Sequence, residues 1–95
     1  MTTQTYEFRI GASVPLDEAR DTLRLALLAA EALHGEGVAV DGAHHLDTNS
    51  RACRIDGSTR PCRDLALLFS RFLAREFGPD NFRVKRVEGS PAKIA

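Results

Sequence analysis

Tyr6, Phe8 and Ile10 alternate with Glu7 and Arg9 along TYEFRI. A period of two belongs to a strand with one face against a core, so a first strand is predicted over 5–10. After a loop from Gly11 to Val14 the period changes. Leu16, Ala19, Leu23, Ala26, Leu27, Ala30 and Leu33 recur at helical spacing, which predicts an amphipathic helix. Pro15 suits its first turn, and Asp17, Glu18 and Asp21 complement the positive end of its dipole. Gly35 and Gly37 are expected to stop it after about His34.

VAVDGAHHLD reads as a second strand with Val38 and Val40 in phase, DTNS as a turn, and RACRID as a third strand with Cys53 and Ile55 in phase. Gly57, Ser58 and Thr59 lead into a second helix over about 60–77, whose stripe is Leu65, Leu68, Phe69, Phe72 and Phe77. Gly78-Pro79 stops it. NFRVKRV is a fourth strand, with Phe82 and Val84 expected inward.

The order is β-α-β-β-α-β. Alternating strands and two one-sided helices predict an α+β, ferredoxin-like two-layer sandwich: a four-stranded antiparallel sheet with both helices on one face. Strands one and three are then central, and two and four are edges. The 95 residues make a single domain, with an ordered core over about 5–88 and a loose tail over 89–95.

No run of 18 apolar residues occurs, so no membrane-spanning helix is expected. MTTQTYEFRI lacks the basic start and apolar block of a secretory signal. A cytoplasmic location is therefore expected, with Cys53 and Cys62 as reduced thiols. Formal charge is zero but uneven. Residues 1–49 hold three arginines against eight carboxylates, a net −5, and residues 50–95 hold ten Lys/Arg against five, a net +5. The plain expectation is that the halves offset each other within the chain, Glu31 or Asp21 of the first helix approaching Arg71 or Arg75 of the second.

Chemistry concentrates between Asp41 and Cys62, which hold two of the three histidines and both cysteines. If Thr48 and Asn49 are the two central turn residues, His44 faces Cys53 on the helix side, and His45 points the other way beside Arg54. Adjacent histidines on a strand cannot chelate one ion. His44, Cys53 and Cys62 leave a metal site one ligand short, and the C-x8-C spacing is not that of zinc modules. A phosphatase-type C-x5-R loop fails as well, because the sixth residue after Cys53 is Thr59 and Arg60 is one too far. A His44–Cys53 thiolate pair lacks an orienting third group. No catalytic residue, metal or cofactor is assigned. Cys53 is expected to be inert, and Cys62, in a helix's first turn beside two arginines, to be the more accessible thiol.

Three surfaces remain. Ser58, Thr59, Arg60 and Arg63 at the start of the second helix form a candidate anion site. Arg9, Arg54, Arg83 and Lys85 form a candidate basic face on the open side of the sheet, although no aromatic ring joins them from the central strands as in sheets that stack single-stranded RNA. Leu25, Leu28, Ala29 and Ala32 extend the apolar surface of the first helix beyond one stripe and form a candidate interface. The reading that follows is a non-catalytic protein-interaction or assembly domain acting as a homo-oligomer or with a protein partner. The alternative is a nucleic-acid or anion-binding module.

Overall fold

The computed structural model describes residues 4–35 and 44–88. Strand β1 spans Gln4–Ile10, helix α1 Leu16–His34, strand β2 His44–Asp47, strand β3 Ala52–Asp56 and helix α2 Arg60–Phe77. A single 3-10 turn, Pro79–Asn81, leads into strand β4, Phe82–Glu88. The strands form one antiparallel sheet in the order β2-β3-β1-β4. This is the expected ferredoxin-like arrangement, with β3 and β1 central. The expected tail 89–95 and the expected strand residues Val38 and Val40 lie outside the described residues.

Local chemistry accounts for the boundaries. Pro15, extended at ψ 131°, precedes α1, and Asp17 and Glu18 occupy its first turn. The Thr59 hydroxyl accepts from the Cys62 backbone N–H at 3.3 Å and caps α2. Gly35 and Gly78 end the two helices at φ 94° and 91°, a region that only glycine enters cheaply.

The core lies between the sheet and the helices. Phe8, Ile10 and Ile55 from the central strands meet Leu65, Phe69 and Leu73 from α2. The Phe8 and Phe69 rings pack at 4.8 Å with a 55° tilt, tying β1 to α2. Helix α1 contributes mainly small side chains, Ala19, Ala26 and Ala30 with Leu23, which lets its backbone come close. Two expected core positions are not in the core. Leu33 is exposed in the last turn of α1, past the reach of the sheet. Val84 faces the helix side, but β4 is an edge strand that α2 does not fully cover, and the side chain is 40% exposed.

The β2–β3 register differs from expectation. His44 faces Ile55, His45 faces Arg54, Leu46 faces Cys53 and Asp47 faces Ala52. A two-residue hairpin turn on Thr48-Asn49 would need positive φ at Thr48, which a β-branched threonine resists. The chain instead turns over residues 48–51 and puts the positive φ, 53°, at Arg51. The Asp47 carboxylate accepts from the Asn49 N–H at 3.0 Å and braces the turn. A shift of two residues preserves the faces, so His44 stays on the helix side and His45 stays with Arg54.

Candidate functional site

The β1 register places the expected basic face. Glu7 pairs with Arg54 on one side and Lys85 on the other, and Arg9 pairs with Arg83. All four cations share the face away from the helices. They do not form an open cationic platform. Glu7, 3% exposed, takes Arg9 at 3.0 Å and Arg54 at 3.3 Å on its two carboxylate oxygens. Arg54 is itself only 8% exposed, and Thr5 and Ala52 on the same face are buried. Arg83 and Lys85 on β4 remain exposed. The centre of this face is thus a neutralised, closed cluster, and among the described residues its free cations lie along the β4 edge.

The candidate anion site is arranged around a carboxylate of the chain's own. Asp56 accepts from the Ser58 N–H and from the Ser58 hydroxyl, each at 2.9 Å. Thr59 caps the helix, and Arg63 donates to the Gly57 carbonyl at 3.2 Å. Three of the four residues are therefore engaged internally, and Arg60 alone stands exposed without a hydrogen bond or ion pair among the described residues.

Both cysteines are free thiols, and both are buried. Burial pushes the Cys53 thiol up to about 12, with Arg54 opposing it weakly, so it stays protonated and unreactive. Cys62 turns inward from the first turn of α2 instead of standing open beside Arg60 and Arg63. The expected contrast in accessibility between the two thiols is therefore absent. Desolvation, and secondarily the neighbouring His45, lower the pKa of half-buried His44, whose buried Nδ1 has no hydrogen-bond partner among the described residues. Among the described residues no three His, Cys, Asp or Glu side chains converge as metal ligands. A shallow depression of about 230 Å³ runs between α2 and β4, walled by Tyr6, Phe8, Ala66, Leu67 and Val84 with Arg63 at its rim. Ligand pockets usually start near 300 Å³.

The helix layer is different. Leu25 and Leu28 are 58% and 61% exposed on the outside of α1. Ala32 is exposed beside them and Ala29 half-buried. Helix α2 presents Arg63, Leu67, Arg71 and Arg75 along one exposed row at four-residue spacing, with Arg60 one turn before it. Among the described residues none of these arginines has an ion-pair partner. The expected approach of Asp21 or Glu31 to Arg71 or Arg75 does not occur. Asp21 pairs with Arg24 in its own helix at 3.4 Å, and α1 meets α2 through His34 Nε2 and Asp64 Oδ2 at 2.7 Å. Of the surplus carboxylates in the first half of the chain, only Glu7 reaches an arginine of the second half among the described residues.

Sequence reading missed two features. Arg51 donates from its guanidinium to the carbonyls of Ile10, Gly11 and Val14, and so clamps the β1–α1 loop to the β2–β3 hairpin. No local pattern announces a contact forty residues away. The α2 arginine row is visible in the sequence as a four-residue repeat, but its lack of partners among the described residues depends on the packing of α1. Comparison of the chain with protein-family models, curated proteins and solved structures found no match.

Proposed function

We propose that this chain is a non-catalytic association domain, at work in the cytoplasm, that assembles through the outer surface of its helix layer. The observation that carries this reading is the pair of leucines, Leu25 and Leu28, more than half exposed in the middle of a 19-residue helix. They flank small Ala29 and Ala32, which let another backbone approach. Leaving such a row in water forgoes roughly 25 cal/mol per Å² of apolar surface, and contiguous exposed rows of this kind mark contact sites. The rest of the molecule supports it. Cys53 of the hairpin is buried and His44 half-buried, and the open sheet face closes its central charges on Glu7. That closure weighs against nucleic acid as the partner, and free thiols fit a reducing compartment.

Light scattering of the purified chain tests the proposal. The native protein is expected to be a dimer. Leu28→Glu is expected to be a folded monomer, because a charge is tolerated on a free surface and not in a desolvated contact. A native chain that stays monomeric at the highest attainable concentration overturns the reading, as does a Leu28→Glu chain that remains dimeric. Nucleic acid co-purifying with the native chain, seen by absorbance, supports the β4 cations as a binding edge instead.

A further inference from the structure

We infer that the occupant of the helix layer is a second copy of this chain, docked so that α1 of each copy lies on α2 of the other. The inference rests on the association reading above and specifies its partner and geometry. It starts from the charges of the two helices, where the arginines of α2 have no ion-pair partner among the described residues. Helix α1 carries Asp17, Glu18, Asp21 and Glu31 against Arg20 and Arg24. Helix α2 carries Arg60, Arg63, Arg71 and Arg75 against Glu76 and Asp64, and Asp64 is already held by His34. The two helices are therefore oppositely charged and lie side by side, yet among the described residues no arginine of α2 pairs with a carboxylate of α1.

A closed face-to-face dimer of two-helix layers with the helices of both copies aligned has two arrangements. With the two-fold axis across the helices, α1 stacks on α1 and α2 on α2. That sets the Arg63–Arg71–Arg75 row against its own copy, and opposed like charges cost several kcal/mol. With the axis along the helices, the arginine row of each copy meets α1 of the other, where four carboxylates outnumber Arg20 and Arg24. A lone α1–α1 contact avoids the repulsion but offers a strip only about 28 Å long and about 10 Å wide. That is well under the roughly 800 Å² per partner of a standard interface, and engaging α2 as well brings the contact closer to that size. Charge and area select the same arrangement.

The levels agree. The His34–Asp64 contact shows that α1 and α2 run antiparallel and fixes their relative height. An axis along the helices preserves that height, and both helices rise equally per residue. Glu31 of the second copy then comes level with Leu67, one turn from Arg63 and one turn from Arg71. Asp21 of the second copy, with its own partner Arg24 beside it, falls within a turn of Arg75, and Leu28 of the second copy within a turn of Leu67. Leu67, 52% exposed on α2, thereby gains a further apolar neighbour from the second copy.

Charge reversal tests this arrangement. One variant carries Asp21→Arg with Glu31→Arg, the other Arg71→Glu with Arg75→Glu. All four side chains are away from the core, and circular dichroism confirms that each chain is folded. Each variant alone should be monomeric by analytical ultracentrifugation, with a dissociation constant raised about 100-fold, since like charges then face each other at both contacts. Mixed in equal amounts, they should form a heterodimer. The reversed α1 of one chain meets the reversed α2 of the other, and the remaining contact is native.

An Arg71→Glu/Arg75→Glu chain that dimerises on its own overturns the arrangement, and so does a mixture of folded variants that stays monomeric. If Leu28→Glu dissociates the native dimer while the α2 variant remains dimeric, association stands and only this geometry falls. If the native chain never dimerises, both fall. Should either reversed chain fail to fold, Arg71→Ala with Arg75→Ala must weaken the native dimer about ten-fold, and an unchanged dissociation constant sinks the inference.

Discussion

On the face away from the helices, Glu7 lies between Arg9 and Arg54 with Lys85 across from it in register, and the central pair is almost wholly out of water. On the helix layer, four arginines of α2 stand without an ion-pair partner among the described residues, beside a neighbour of opposite charge. Both surfaces are rich in arginine. They differ in whether the opposing carboxylate lies on the adjacent strand or out of reach along a parallel-sided groove. A sheet fixes cross-strand neighbours at about 5 Å, so Glu7 cannot avoid Arg54. Two packed helices bring together only their facing stripes, and the outer rows remain free for something else. The closed surface supports the fold, and the open one is suited to a partner.

The strongest way to break that comparison is Glu7→Ala. It leaves Arg54 buried with no carboxylate, and removing one partner from a buried pair costs about 3–5 kcal/mol. Urea unfolding should show a loss of that order. A loss under about 1 kcal/mol would mean that Arg54 readily turns to water and that the open face of the sheet is as free as the helix layer.

Arg51→Ala should come next. Its guanidinium satisfies three loop carbonyls at once, and hydrogen bonds to charged donors contribute about 1.5–3 kcal/mol each at most, with less when neighbours share the effect. A net loss of about 2 kcal/mol is expected. Arg51→Lys should recover little of it, because an ammonium cannot span the three acceptors. Full recovery by lysine would show that charge alone, and not the fork, holds the loop.

These two residues also mark where sequence reading stopped. The helix limits, the strand order and the sides taken by Phe8, Cys53, Glu7 and Arg54 all followed from period and punctuation, because a one-residue slip would have exposed the core. The hairpin register did not follow. A shift of two residues leaves every face unchanged, so nothing in the hydrophobic pattern opposes it, and the positive φ at Arg51 has no glycine to signal it. The inward turn of Cys62 is not legible in the sequence, because a position in a first helical turn does not say which way that turn faces. The exposed leucines of α1 were legible as a surplus beyond one stripe. The proposed contact against them rests on the charges of α2, which only the packing showed to be unpartnered among the described residues.

Arg71→Ala sharpens the comparison from the other side. Like Glu7→Ala it changes the charge by one unit. The side chain is exposed and unpaired among the described residues, so the stability of the isolated monomer should move by no more than about 0.5 kcal/mol. The measurement belongs at dilutions where the monomer dominates, since a dimer adds stability that depends on concentration. A loss comparable to that of Glu7→Ala would place Arg71 in an intrachain cluster and remove the reason for a second copy.

The smallest effect should come from His44, the one side chain on the helix side of β2 with a buried nitrogen left unbonded among the described residues. Desolvation, and then the adjacent His45, hold its folded pKa below the ordinary 6.5. The unfolded chain therefore takes up a proton at His44 before the folded one does. Stability from this group is complete above about pH 6.5 and is lost as the pH falls through the folded pKa. Native protein and a His44→Leu variant, unfolded in urea from about pH 8 to about pH 5, should then diverge only toward the acid end, the native chain losing more. Carboxylates that titrate alike in both chains cancel in the difference. Parallel profiles would show that His44 finds water or a partner on protonation, so that the edge of the helix side is solvated like the outer rows of α1 and α2. A native chain that gains stability relative to the variant in acid would mean that the imidazolium is bound by a carboxylate, and β2 would then belong with the closed, charge-satisfied part of the molecule.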